Sequence, residues 1–271
     1  MSDAKGCSVP AIERALAVLE FLAQSKSGFS TSEISRRLQL PKSSTYLIVE
    51  TLERQGFLQK NSQTGRYCFG LKLFSLSRNA FENLDLREEA KPFLRSLMQE
   101  TQITVHMAVL ERTEAVIIEK VEAPGMIRMA TWVGRRLDVN CTAVGKALLA
   151  FVSEEELDEI ARLKGFPRHN DDTITALHAL KRELAQVRTL GYSLDDEEDE
   201  IGLRCIGAPV FDGNSQSIAA ISVSGTVSQV TYERIPAMAS MVKRTAAQIS
   251  SRLRSNGKES AVRDVGPGDS R

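Results

Sequence analysis

The chain is poor in the residues that thiol and soft-metal chemistry draws on, with four cysteines, three histidines and one tryptophan in 271 positions. Cys7, Cys68, Cys141 and Cys205 are widely separated, form no C-x-x-C pair and do not cluster with the histidines. That spacing argues against a disulfide framework and against a structural zinc site, so neither a metal nor a cofactor is expected. No apolar run approaches the ~18–20 residues that span a bilayer. Residues 1–10 lack the apolar stretch of a secretory signal. A cytoplasmic location without membrane contact is expected. A Gly-rich phosphate loop, paired metal ligands and a G-x-S-x-G elbow are also missing. Catalysis is therefore not expected. The alternative is a cysteine-dependent enzyme, or a redox sensor, built on Cys205 with Asp195 and a histidine.

What is present is an ordinary globular composition, 42% apolar and 26% charged, in a chain long enough for about two domains. The net charge is zero but unevenly placed. Residues 1–80 carry 11 basic against 6 acidic side chains, and residues 81–271 carry 24 against 29. A basic head on an acidic body suits one module that meets phosphates and one that does not.

In residues 9–23 the apolar positions Ile12, Leu16, Leu19 and Leu22 recur at helical spacing. Ser30 and Glu33 make a capping box that starts a second helix near Thr31, and Pro41 prevents it from running on. Lys42-Ser43-Ser44-Thr45 supplies a hydroxyl cap for a third helix, read as Tyr46 to Gln55, with Gly56 after its end. Helix, tight turn and helix with a small, polar, basic start describe a helix-turn-helix. Residues 57–60 and 66–69 alternate as two strands around a turn, which makes a wing. Lys42, Ser43, Ser44, Thr45 and Tyr46 are the expected contacts to double-stranded DNA, and Lys60 and Arg66 the expected phosphate contacts.

Residues 71–86 read as an amphipathic linker helix, and residues 87–101 as a further helix. Residues 103–110, 115–121 and 126–133 are β-rich and read as an antiparallel run, with two more strands at 203–211 and 217–226. Helices are expected at 153–163, 175–190 and 231–253, and residues 255–271 read as a frayed tail. Thr142-Ala143-Val144-Gly145 opens a short helix whose small residues leave N–H groups accessible to an anion such as a carboxylate. Ser222 and Ser224, two apart on a strand, present hydroxyls on one face, while Asp195 and Cys205 add an acceptor and a weak donor. Ile127, Met129, Trp132 and Leu137 precede the Thr142 turn and are the expected apolar wall.

Several of these blocks, in order, resemble the IclR family of bacterial regulators. They are Ile12-Glu13-Arg14-Ala15-Leu16-Ala17-Val18-Leu19-Glu20, Leu40-Pro41-Lys42-Ser43-Ser44-Thr45, and Thr142-Ala143-Val144-Gly145-Lys146-Ala147-Leu148-Leu149-Ala150. They continue with Gly191-Tyr192-Ser193-Leu194-Asp195-Asp196, Ala208-Pro209-Val210-Phe211-Asp212 and Ile221-Ser222-Val223-Ser224-Gly225. The resemblance implies an α+β protein with a winged helix-turn-helix over residues 1–70, a linker helix over 71–86, and a GAF-like effector-binding domain with an antiparallel sheet over 87–254. It implies operator DNA as partner, a small-molecule effector, and homodimers that pair into homotetramers. By resemblance, Ala143, Val144, Asp195, Cys205, Ser222 and Ser224 line the effector site. The chain departs from the family where members commonly carry an arginine, at Leu47, and a histidine, at Asn140. Base readout is therefore expected to rest on Ser43, Thr45 and Tyr46.

Overall fold

The structure is a computed structural model that describes residues 9–23, 25, 27–73, 75–76, 85–125 and 128–263. The chain divides into two compact units, Met1–Asp85 and Leu86–Arg271.

The first unit holds α1 (Pro10–Leu22), α2 (Thr31–Arg37), α3 (Lys42–Arg54) and a hairpin of β1 (Leu58–Lys60) with β2 (Tyr67–Phe69). Val18, Phe21 and Leu22 of α1 pack with Ile34, Val49, Leu58 and Tyr67 into one core. The capping box forms: Ser30 Oγ accepts the Glu33 N–H at 3.3 Å, and Glu33 Oε2 accepts the Ser30 N–H at 2.7 Å. Gly28 sits at φ 71°, and a Cβ there would lie 2.2 Å from the Tyr67 carbonyl oxygen. Only glycine lets the chain come this close, and the result is a bridge between Phe29 and Tyr67 that adds a third strand position to the wing.

The third helix begins earlier than its sequence suggests. Pro41, with ψ 137°, occupies the N-cap, no side chain caps the helix, and Lys42 to Thr45 form its first turn. The hydroxyl cap expected from those residues is thus replaced by a proline whose carbonyl accepts the Thr45 N–H at 2.9 Å. Residues 71–73 and 75–76 are helical; most of the remaining linker helix expected up to residue 86 lies outside the described residues.

The second unit begins with α4 (Asp85–Thr101), which contains an internal proline, Pro92. Its sheet has six antiparallel strands: β3 (Thr104–Glu111), β4 (Glu114–Val121), β5 (Arg136–Asp138), β6 (Ser193–Asp196), β7 (Leu203–Phe211) and β8 (Ser217–Thr226). Their order is β5-β4-β3-β8-β7-β6. The helices α5 (Ala143–Leu149), α6 (Glu154–Leu163) and α7 (Leu177–Leu190) build a core with Ala108, Ala115 and Ala220 of the sheet. The long α8 (Ile235–Arg263) packs on β7 and β8. It joins α4 through Arg244–Glu100 and Arg252–Glu89 ion pairs at 2.5 and 2.6 Å.

Two expectations are corrected. Residues 128–133 are not a strand, because their carbonyls are taken by side chains: Lys120 Nζ holds those of Met129 and Thr131 at 3.0 and 2.8 Å, and Arg135 holds that of Ala130. The chain rejoins the sheet at Gly134, whose N–H meets the Ile117 carbonyl at 2.7 Å, and β5 follows. The last helix runs to Arg263, past the residue 255 at which a tail was expected to begin; residues 264–271 lie outside the described residues.

Candidate effector cavity and nucleic-acid surface

Strand register gathers residues that are far apart in sequence. Asp195 pairs with Cys205, Cys205 with Ser224, and Ser224 with Thr104, making one row across four strands. The next row on the same face is Ser193, Gly207, Ser222 and His106. Over this face lies the start of α5. Gly207 permits the approach, since a Cβ there would sit 2.7 Å from the Ala143 carbonyl oxygen. Ser193 Oγ fixes the approach by donating to that same oxygen at 2.6 Å. Thr142 caps α5 through the Gly145 N–H. The N–H groups of Ala143 and Val144 have no partner among the described residues.

A cavity opens between these parts. Six residues expected from the resemblance, Ala143, Val144, Asp195, Cys205, Ser222 and Ser224, line it together with the expected Met129 and Leu137. Trp132 does not: it is 60% exposed, with its ring 5.3 Å from the Arg135 guanidinium. Its segment leaves the sheet instead of continuing as a strand, so its placement in the apolar wall is corrected. Ile127 lies outside the described residues.

Sequence reasoning missed His106, Thr131 and Arg135 in the lining. His106 Nδ1 meets Ser224 Oγ at 3.2 Å and Nε2 meets Thr131 Oγ1 at 2.8 Å. Burial, helped by the positive charges of Lys120 and Arg135, lowers its pKa to about 3. The ring is neutral at pH 7. A usable signal did exist: His106 is a polar residue at an inward position of an otherwise apolar strand.

Burial also raises the Asp195 pKa to about 7, with Glu198 and Asp199 adding to the effect and Lys146 opposing it. The Cys205 thiol is pushed well up by burial and by Asp195. A thiol held in its protonated form is a poor nucleophile. The cavity is thus lined by buried donors and acceptors, among them the neutral His106 ring and the Cys205 thiol, with Arg135, Asp199 and Glu200 also in the lining and an apolar wall beside them.

On the first unit, Lys42, Ser43 and Tyr46 are exposed at the start of α3 and Ser44 is half-buried. The Tyr46 hydroxyl donates to Glu50 Oε1 at 2.5 Å, one turn along the same helix. Leu47 stands 62% exposed between them. Thr45 is corrected: it is fully buried, its hydroxyl donating to the Pro41 carbonyl at 3.0 Å. It belongs to the inner face of α3 with Val49 and cannot reach a base. Lys60 is exposed on the wing, 5.4 Å above the Tyr67 ring. Arg66 is committed within the unit, to the Gly28 carbonyl at 2.8 Å and to Glu33 at 3.0 Å. It braces the wing against α2, and this replaces the phosphate role expected for it.

Comparison with known proteins agrees with both halves. Residues 11–62 match the IclR helix-turn-helix domain, and residues 78–251 match the bacterial transcriptional regulator IclR C-terminal domain. The chain is 35% identical over 243 residues to the transcriptional repressor IclR of Escherichia coli K12, covering 89% of each protein. Among solved structures it is similar to the IclR protein of Thermotoga maritima, at 34% identity and TM-score 0.75 over 90% of this chain and 98% of that one. It is also similar to an IclR homolog of Microbacterium hydrocarbonoxydans complexed with 4-hydroxybenzoate, at 26% identity and TM-score 0.80 over 90% and 99%. With a helix-turn-helix that exposes a polar helix start and a second unit that holds a polar cavity, the chain belongs to the IclR family of bacterial transcriptional regulators and is a DNA-binding protein with an effector-binding domain, not an enzyme.

Proposed function

We propose that this protein is a repressor whose grip on an operator is set by a small organic acid bound in the cavity of its second unit. The observation that carries this reading is the double row of buried polar groups beneath the open N–H groups of Ala143 and Val144. A ligand carboxylate placed there meets two amide donors, as anions do at helix starts. The hydroxyls of Ser222 and Ser224 donate further hydrogen bonds, as does the protonated form of Asp195, which titrates at about 7. Arg135 supplies positive charge, while Met129 and Leu137 take the apolar body of the ligand. The 4-hydroxybenzoate complex of the Microbacterium homolog supports an acid of this kind. The relatives named as repressors support the direction of control.

At the DNA, Lys42, Ser43, Ser44 and Tyr46 enter the major groove from the start of α3, and Lys60 meets a phosphate from the wing. Tyr46 must first give up its bond to Glu50. Val9, Ile12 and Leu16 leave an exposed apolar stripe on and before α1, which supports pairing into dimers, and pairs of dimers into tetramers.

The test is thermal unfolding of the full chain with a panel of hydroxybenzoic, keto and short carboxylic acids. An acid at about 100 times its dissociation constant stabilises the native state by roughly 2.7 kcal/mol. One class is expected to raise the midpoint, and Ser222→Ala is expected to abolish the rise while unfolding as cooperatively as the parent. An unmoved midpoint across the whole panel contradicts the organic-acid reading.

A further inference from the structure

Beside the cavity three metal-ligating side chains from distant parts of the chain converge. Cys141 directly precedes the cap of α5, His169 lies in the loop between α6 and α7, and Asp199 follows β6. One ligand atom from each lies within 4.8 Å of the other two. Cys141 Sγ is 3.7 Å from Asp199 Oδ1, and His169 Nε2 is 3.9 Å from the same oxygen. A tetrahedral zinc ion, with bonds of about 2.3 Å to sulfur and 2.0–2.2 Å to nitrogen and oxygen, holds its ligand atoms roughly 3.3–3.5 Å apart. Small side-chain movements would close the gap.

We infer that Cys141, His169 and Asp199 form a binding site for one zinc-like divalent transition-metal ion, separate from the effector cavity in its ligands except for Asp199, which lines both. The mixed sulfur, nitrogen and oxygen set selects such an ion over calcium or magnesium, which prefer all-oxygen sites. The charges agree. Asp199 has no lysine or arginine within ion-pair distance among the described residues, and its carboxylate faces His169. Asp199 and the neighbouring Asp138 bring negative charge to the group, which attracts a dication, and the dication in turn permits the thiolate.

The supporting loops are already tied together. The His169 N–H donates to Thr173 Oγ1 at 3.1 Å, and that hydroxyl donates to the Glu198 carbonyl at 2.7 Å. Asn170 Nδ2 donates to the Glu197 carbonyl at 2.7 Å. These bonds fix the backbone bearing His169 against the backbone bearing Asp199, as outer-shell partners do in metal sites. Asp138, itself paired with Lys164 at 2.5 Å, holds His169 Nε2 at 2.9 Å, a bond that His169 exchanges for the ion. The widely spaced cysteines and histidines argue against a zinc site only for local motifs; here the strands and loops bring 141, 169 and 199 together.

The test is titration of the reduced full-length protein with cobalt(II) alone, so its outcome is independent of any organic effector. We expect one equivalent to bind with a thiolate-to-cobalt charge-transfer band in the near ultraviolet, and zinc to displace it. Cys141→Ser is expected to lose the band and Cys68→Ser to keep it. His169→Asn, at a partly exposed position, is expected to weaken binding at least tenfold, and it carries the test should Cys141→Ser fail to fold. Cobalt bound without a thiolate band, a band that survives in Cys141→Ser, or unchanged affinity in His169→Asn overturns the site.

Discussion

Lys146→Ala is expected to destabilise the second unit by about 3–5 kcal/mol, the usual result of stranding one member of a buried ion pair. Lys146 is fully buried in α5 and its ammonium pairs with Glu198 and, at 3.4 Å, with Glu183. Glu198 Oε2 already lacks a hydrogen-bond partner. Removing the cation leaves a buried carboxylate to be neutralised by a proton, and burial already raises its pKa. The double variant Lys146→Met with Glu198→Gln is expected to recover a substantial part of the loss, because an uncharged pair no longer carries the cost of burying charge. Urea unfolding of Lys146→Ala and of the four members of the Lys146→Met, Glu198→Gln cycle measures both effects. A loss under 1 kcal/mol in Lys146→Ala would show that water reaches the pair.

The second large effect depends on pH. His106 titrates at about 3 in the folded protein and near 6.5 when unfolded. Between those values the unfolded chain binds a proton that the native state refuses. The stability due to a neutral His106 is therefore fully present above pH 6.5 and is lost as pH falls, at about 1.4 kcal/mol per unit. His106→Gln, which keeps a donor and an acceptor, is expected to remove that slope. From pH 6.5 to 5 the parent should lose roughly 2 kcal/mol more than the variant in urea unfolding. Carboxylates held low, such as Glu33 and Glu114, tilt both curves alike, so the difference isolates the ring. Parallel curves would mean that the imidazole is charged in the folded state.

The parts legible in the sequence are those governed by local rules. The capping box at Ser30 and Glu33 locates α2, and the alternating runs at 203–211 and 217–226 match β7 and β8 residue for residue. Local rules fail where a distant side chain decides. Residues 126–133 have strand composition, yet Lys120 and Arg135 take the carbonyls that a strand would offer its neighbour. Thr45 looks like a base contact because it follows Lys42 and Ser43. Its spacing of four from Val49 places it on the buried face, a signal that was present and outweighed by residue type. The cavity was readable as separate positions, since Asp195, Cys205, Ser222 and Ser224 each sit in a resembling block. Their joining into two adjacent rows, with His106 beside Ser222 in the second, depends on the register of four strands, which spacing along the chain does not encode.

Coupling between the cavity and DNA is read from the affinity of the full chain for a duplex selected from a random pool. The affinity is measured with and without the acid that raises the unfolding midpoint. Binding to the selected sequence is expected to weaken at least tenfold with the acid, a coupling of about 1.4 kcal/mol, and Ser222→Ala is expected to bind the duplex equally well in both conditions. Equal affinity of the parent protein with and without a saturating acid would contradict that coupling.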